Sequence, residues 1–78
     1  MKQIQVLGPG CPKCHELYRR CEAALYRLGL EAELTKVEDI NQIIDLGVML
    51  TPGLVIDGKV VLSGKVPSAD ELVELIQQ

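Results

Sequence analysis

Tryptophan and phenylalanine are both missing from this chain, and Tyr18 and Tyr26 are its only aromatic residues. With 78 residues, 47% of them hydrophobic, it has to build a modest core from Leu, Ile, Val and Ala. That size leaves room for one domain, residues 1–78, and not for a second. No apolar run approaches the ~18 residues of a membrane span. The opening Met1-Lys2-Gln3-Ile4-Gln5 lacks the apolar stretch of a signal peptide. There is no excess of positive charge either: the net charge is −3, which argues against a nucleic-acid binder. Three cysteines are an odd number, so they cannot all pair within the chain. These absences favour a reducing cytoplasm, where closely spaced cysteines serve catalysis or metal binding more often than structure.

What is present is concentrated in Cys11-Pro12-Lys13-Cys14. The segment follows an apolar run, Ile4-Gln5-Val6-Leu7, and a Gly8-Pro9-Gly10 turn, and a helical pattern starts at once. Two cysteines at this spacing can close a small disulfide ring and open it again. A helix N-terminus offers unpaired N–H groups and a partial positive charge, which favour a thiolate. The thiolate is the reactive form of cysteine, so the placement makes a nucleophile.

Residues 2–7 read as a strand with Ile4 and Val6 on one face. Pro12 suits the first position of a helix over residues 12–28. Cys14, Leu17, Tyr18, Cys21, Ala24, Leu25 and Leu28 form its apolar stripe, and Glu16, Arg19, Arg20, Ala23 and Arg27 lie opposite. Gly29 caps it. Residues 31–37 read as a strand whose charges, Glu31, Glu33 and Lys36, suit an edge. A short helix over 39–46 is expected to turn Ile40, Ile43 and Ile44 inward, with Gly47 as the stop. Strands 54–56 and 60–62 flank Asp57-Gly58, a strong hairpin signal. Ser68-Ala69-Asp70-Glu71 is a capping box that opens a last helix. The order β-α-β-α-β-β-α predicts an α/β fold: a four-stranded mixed sheet flanked by helices on both faces. The first two strands are parallel through a right-handed crossover. The cysteine pair then sits at the C-terminal end of the first strand, where open α/β sheets place their chemistry.

This order, with CPKC after the first strand, Thr51-Pro52 before the third and the Asp57-Gly58 hairpin, resembles the thioredoxin fold at glutaredoxin-like size. More narrowly it resembles the small redox-active-disulfide proteins of bacteria and archaea, with Ser63-Gly64 as a further match. The resemblance implies a thiol-disulfide oxidoreductase with Cys11 as nucleophile and Cys14 as buried resolving thiol. Pro52 would be a cis-proline against the disulfide, with Thr51 offering its backbone to an extended substrate. Pro12 and Lys13 complete the motif, and Lys13 is either a tuning residue or a solvated lysine. The implied partners are a disulfide-containing protein or low-molecular-weight thiol and a reductase. Neither nucleic acid nor membrane is expected, nor a cofactor beyond the disulfide. A cytoplasmic monomer is expected. Two departures stand out. Thioredoxins carry a Trp before the first cysteine, where this chain has Gly10, and a buried acid in the first strand, where it offers Lys2, Gln3 and Gln5.

Other readings use the same residues. Cys14-His15 completes a haem-attachment string, but haem attachment needs export and an axial ligand. Two thiolates with His15 or Cys21 can hold Zn(II), Cu(I) or As(III). Small copper carriers, however, run β-α-β-β-α-β and have no use for Thr51-Pro52. A redox sensor, in which disulfide formation changes affinity for a partner protein, is a third class. Cys21 lies roughly 10 Å along the helix from Cys14, too far for a disulfide, and reads as a core residue. Lys13, Arg19, Arg20 and Arg27 form either a solvated face or a positive field near the thiols.

Overall fold

A computed structural model describes residues 2–77. The elements run β1 (Lys2–Leu7), α1 (Pro12–Leu28), β2 (Ala32–Val37), α2 (Ile40–Asp45), β3 (Gly53–Ile56), β4 (Lys59–Ser63) and α3 (Ala69–Gln77). The sheet order is β2-β1-β3-β4. β1 and β2 are parallel, with Val6 opposite Lys36 and Leu7 opposite Val37. β1–β3 and β3–β4 are antiparallel. β2 therefore lies on an edge, as its charges predict.

Local chemistry accounts for most boundaries. Cys11 is the N-cap of α1, with Pro12 next to it. Gly29, at φ 62°, ends α1 in the left-handed conformation that glycine tolerates. Asp57 and Gly58 both have positive φ, 51° and 82°, the backbone of a two-residue hairpin turn that matches strand twist. The Asp57 carboxylate accepts from the Gln3 N–H at 2.9 Å, and the Asp57 N–H donates to the Gln3 carbonyl at 2.8 Å. The hairpin is thus tied to β1. Ser68 caps α3 as expected, its Oγ accepting from the Glu71 N–H at 3.3 Å, while the Glu71 carboxylate accepts from the Ser68 hydroxyl at 3.4 Å.

The sheet separates two apolar clusters. On one face Ile4, Val6, Leu54 and Ile56 meet Leu17, Cys21 and Ala24 of α1 and Leu72 and Ile76 of α3. On the other, Leu7 and Val55 meet Ile43 of α2 and Val48. α2 departs from expectation here. Ile43 is buried, but Ile40 and Ile44 are 57% and 56% exposed. A six-residue helix aims only one side at the sheet, and on this face the sheet brings Leu7 and Val55, with a partly buried Val37, to the cluster around Ile43. Arg20 departs as well, because it is not a freely solvated side chain. Its Nη1 donates to the Pro67 carbonyl at 3.0 Å and to that of Val66 at 3.4 Å, while Nε pairs with Glu16 at 3.1 Å. It ties α1 to the segment entering α3.

Candidate functional site

Strand β1 ends in Gly8-Pro9-Gly10, and Gly10 has φ +90°, a conformation that favours glycine. The turn delivers Cys11 to the start of α1. Cys11 and Cys14 are joined by a disulfide, with Cα atoms 5.1 Å apart. The Cys14 N–H lies 3.2 Å from the Cys11 sulfur and 3.0 Å from its carbonyl oxygen. The His15 N–H donates to the same carbonyl at 3.1 Å. The sulfur of Cys11 therefore sits where the first turn of α1 presents its N–H groups. Cys11 is half-buried and Cys14 is 5% exposed.

Space for Cys14 comes from Gly8: a Cβ there would overlap the Cys14 sulfur. The same position lies 3.8 Å from Thr51 Cβ, so Gly8 is where the disulfide helix and the 51–52 loop converge. The Thr51–Pro52 bond is cis. Pro52 is buried, and its carbonyl accepts from the Gly64 N–H at 2.8 Å. Ser63 Oγ donates to the Leu50 carbonyl at 3.1 Å, a second tie between this loop and the end of β4. Pro12, Lys13 and Thr51 are exposed beside the disulfide segment.

Two features were not read from the sequence. One is a small cavity of about 10 Å³ against Cys14, bordered by Gly8, Gly10, His15, Lys36 and Glu38. Part of its signal was available: Lys36 stands opposite Val6 in the parallel register, on the face that α1 covers. The Lys36 ammonium lies 4.7 Å from the Tyr18 ring centre on α1. The other is an apolar groove of about 310 Å³ lined by Pro9, Ile40, Ile43, Ile44, Met49 and Thr51. Its main contributors are the isoleucines that α2 leaves outside.

Cys21 is free, buried and 0% exposed. Burial, assisted by the Glu22 carboxylate, pushes its thiol up to about 12. Among the described residues, no group of three or more His, Cys, Asp or Glu side chains is placed to hold a metal ion. Among them, too, no helix is long and apolar enough to cross a membrane.

Residues 2–77 match a family model described as a thioredoxin domain. The chain is 42% identical to a thioredoxin of Methanocaldococcus jannaschii over 74 residues, covering 95% of this chain and 85% of that protein. It is 34% identical to a thioredoxin of Methanothermobacter thermautotrophicus over 76 residues, covering 97% and 99%. The chain belongs to the thioredoxin domain family and, through its Cys11–Cys14 disulfide, is a thiol-disulfide oxidoreductase.

Proposed function

We propose that Cys11 is the attacking sulfur and Cys14 the resolving one, with residues 1–78 acting as a single domain. The carrying observation is their unequal setting. Cys11 is half-buried at the N-cap of α1 with the Cys14 N–H directed at its sulfur, whereas Cys14 lies beneath it, 5% exposed. Once the disulfide is reduced, that N–H and the helix field favour a Cys11 thiolate over a Cys14 thiolate. The Cys11 thiolate attacks a substrate disulfide, forms a mixed disulfide and expels one substrate thiolate. Cys14 then attacks the Cys11 sulfur, closes the ring and releases the second substrate thiol. One substrate disulfide is reduced by two electrons as the dithiol is oxidised.

Thr51 and Pro52 position the substrate chain beside the disulfide, while Pro12 and Lys13 shape its exposed rim. The closeness of Thr51 to the Gly8–Cys14 contact supports the first assignment, and the exposure of Pro12 and Lys13 the second. The groove between Pro9, Met49 and Thr51 offers apolar residues next to a substrate cystine a place to lie. The substrates are disulfide-bearing proteins or small thiols, and a separate reductase returns the dithiol. The protein works as a cytoplasmic monomer with no cofactor beyond its disulfide. Reaction with a disulfide substrate tests the assignment. Cys14→Ser should accumulate a mixed disulfide on Cys11, and Cys11→Ser should lose exchange. Trapping by Cys11→Ser instead would reverse the roles.

A further inference from the structure

Attack by Cys14 requires that its thiol lose a proton where little water reaches. The first strand, whose Val6 lines the same cavity as Cys14, brings no acid: its residues are Lys2, Gln3, Ile4, Gln5, Val6 and Leu7. The acid arrives from the neighbouring strand instead. β2 runs parallel to β1 and sets Lys36 opposite Val6 on the α1 side, and Glu38, just past the end of β2, borders the same cavity as Lys36 and Cys14. Glu38 follows the last strand residue, Val37, whose carbonyl accepts from the Gly8 N–H at 2.9 Å. The link anchors β2 beside the turn that holds Cys14. Glu38 Oε2 comes within 3.3 Å of the point where a Cβ on Gly10 would stand. Gly10, itself at φ +90°, leaves the carboxylate that approach. Glu38 and Cys14 then border one cavity of about 10 Å³, roughly what the centre of one water needs.

We infer that Glu38 accepts the Cys14 proton through a water in this cavity, supplying from β2 the base that β1 lacks. The inference rests on the assignment of Cys14 as the resolving thiol. In the mixed disulfide the Cys14 S–H bond breaks, and its proton passes by way of the water to the Glu38 carboxylate. The new Cys14 thiolate attacks the Cys11 sulfur; the Cys11–Cys14 bond forms and the bond from Cys11 to the substrate sulfur breaks. The departing thiolate takes a proton from solvent, and Glu38 returns one to solvent. When a reductase opens the disulfide, the same path runs backwards and protonates Cys14. The other titratable groups on the cavity are His15 from α1 and Lys36 from β2. The Lys36 ammonium, set over Tyr18, favours a negative sulfur but has no free acceptor site when charged. His15, on α1, is exposed, as are Lys36 and Glu38, so His15→Gln serves as the control and should leave resolution by Cys14 unchanged.

A carboxylate that takes a proton and one that only repels negative charge have opposite signatures. By repulsion alone, Glu38→Gln would ease ionisation of Cys14 and speed resolution. By proton acceptance, it would slow resolution wherever Cys14 has to be deprotonated. The test mixes the reduced protein, in a Cys21→Ala background, with an aromatic disulfide that releases a coloured thiolate. The first release reports attack by Cys11 and the second reports resolution by Cys14. Rates are followed from about pH 5 to about pH 9, across the usual range of general-base effects.

Glu38→Gln should leave the first phase within about twofold and slow the second by about tenfold or more at the acid end, a modest share of a general-base contribution. The gap should close at the alkaline end, where Cys14 ionises unaided. Glu38→Asp should recover part of the loss. A second phase that is unchanged, faster, or slowed equally at every pH would overturn the relay while leaving the oxidoreductase assignment intact. A wild-type protein with a first phase and no second would instead overturn the Cys14 role and the relay with it.

Discussion

The sulfur of Cys14 occupies the space that a side chain on Gly8 would need. The glycine is there for steric reasons, since Gly8 is not among the positive-φ residues. Even a methyl group would have to displace the Cys14 side chain or the end of β1 that carries Gly8, whereas Thr51 at 3.8 Å could stay in place. Overpacking of this kind typically costs about 1–3 kcal/mol. Gly8→Ala should lower the thermal midpoint of the oxidised protein and raise the fraction left with free Cys11 and Cys14 thiols after mild oxidation. Calorimetry and thiol counting check both, and an unchanged midpoint with full ring closure would show that the sulfur has another place to go.

Arg20 and Arg27 look alike in the sequence and should behave differently. Arg20 reaches two carbonyls in the segment before α3 and pairs with Glu16. Losing a charged donor to such carbonyls costs about 1–2 kcal/mol. Arg27 pairs with Asp70 at 2.6 Å, but the side chains are 53% and 79% exposed. Pairs of that kind contribute about 0–1 kcal/mol. Denaturant unfolding should therefore place Arg20→Met well below wild type and Arg27→Met close to it, with Arg27→Met alone losing its small effect at high salt.

Much of this architecture was legible in the chain because the responsible signals are local. Pro12 and Gly29 bound α1, Asp57-Gly58 adopts the turn its dipeptide demands, and Ser68 with Glu71 caps α3. The disulfide was legible for the same reason, since Cys11 and Cys14 are one helical turn apart. What escaped depends on contacts distant in sequence. Whether Ile40 and Ile44 are covered depends on how much apolar sheet faces α2, which no local spacing reports. Arg20 finds its acceptors 46 and 47 residues away. Glu38 comes to border the same cavity as Cys14 only because β2 pairs beside β1.

Cys21 makes stability depend on pH at the alkaline end. Burial raises its thiol from 9.0 in the unfolded reference to about 12 in the fold, with Glu22 adding to the effect. The folded chain then holds a proton that the unfolded chain gives up. The stability from this site is fully present below pH 9 and drains away as pH climbs toward 12. The slope is about 1.4 kcal/mol per pH unit within that window. For the oxidised protein, urea unfolding at stepped alkaline pH should show a shallower decline in Cys21→Ala than in wild type. Parallel declines would mean that Cys21 is not the group responsible. The same burial predicts that thiol reagents label Cys21 only on unfolding.

Reversible exchange through Cys11 and Cys14 underlies every role assigned to the site. The most direct measurement equilibrates the protein in graded thiol/disulfide buffers and counts disulfides by mass spectrometry, with Cys21→Ser as the control. The prediction is one reversible two-electron couple confined to Cys11 and Cys14, at about −200 to −270 mV, and unchanged in the Cys21→Ser protein. Cysteines that stay reduced across the series, or that pair only between chains, would contradict it.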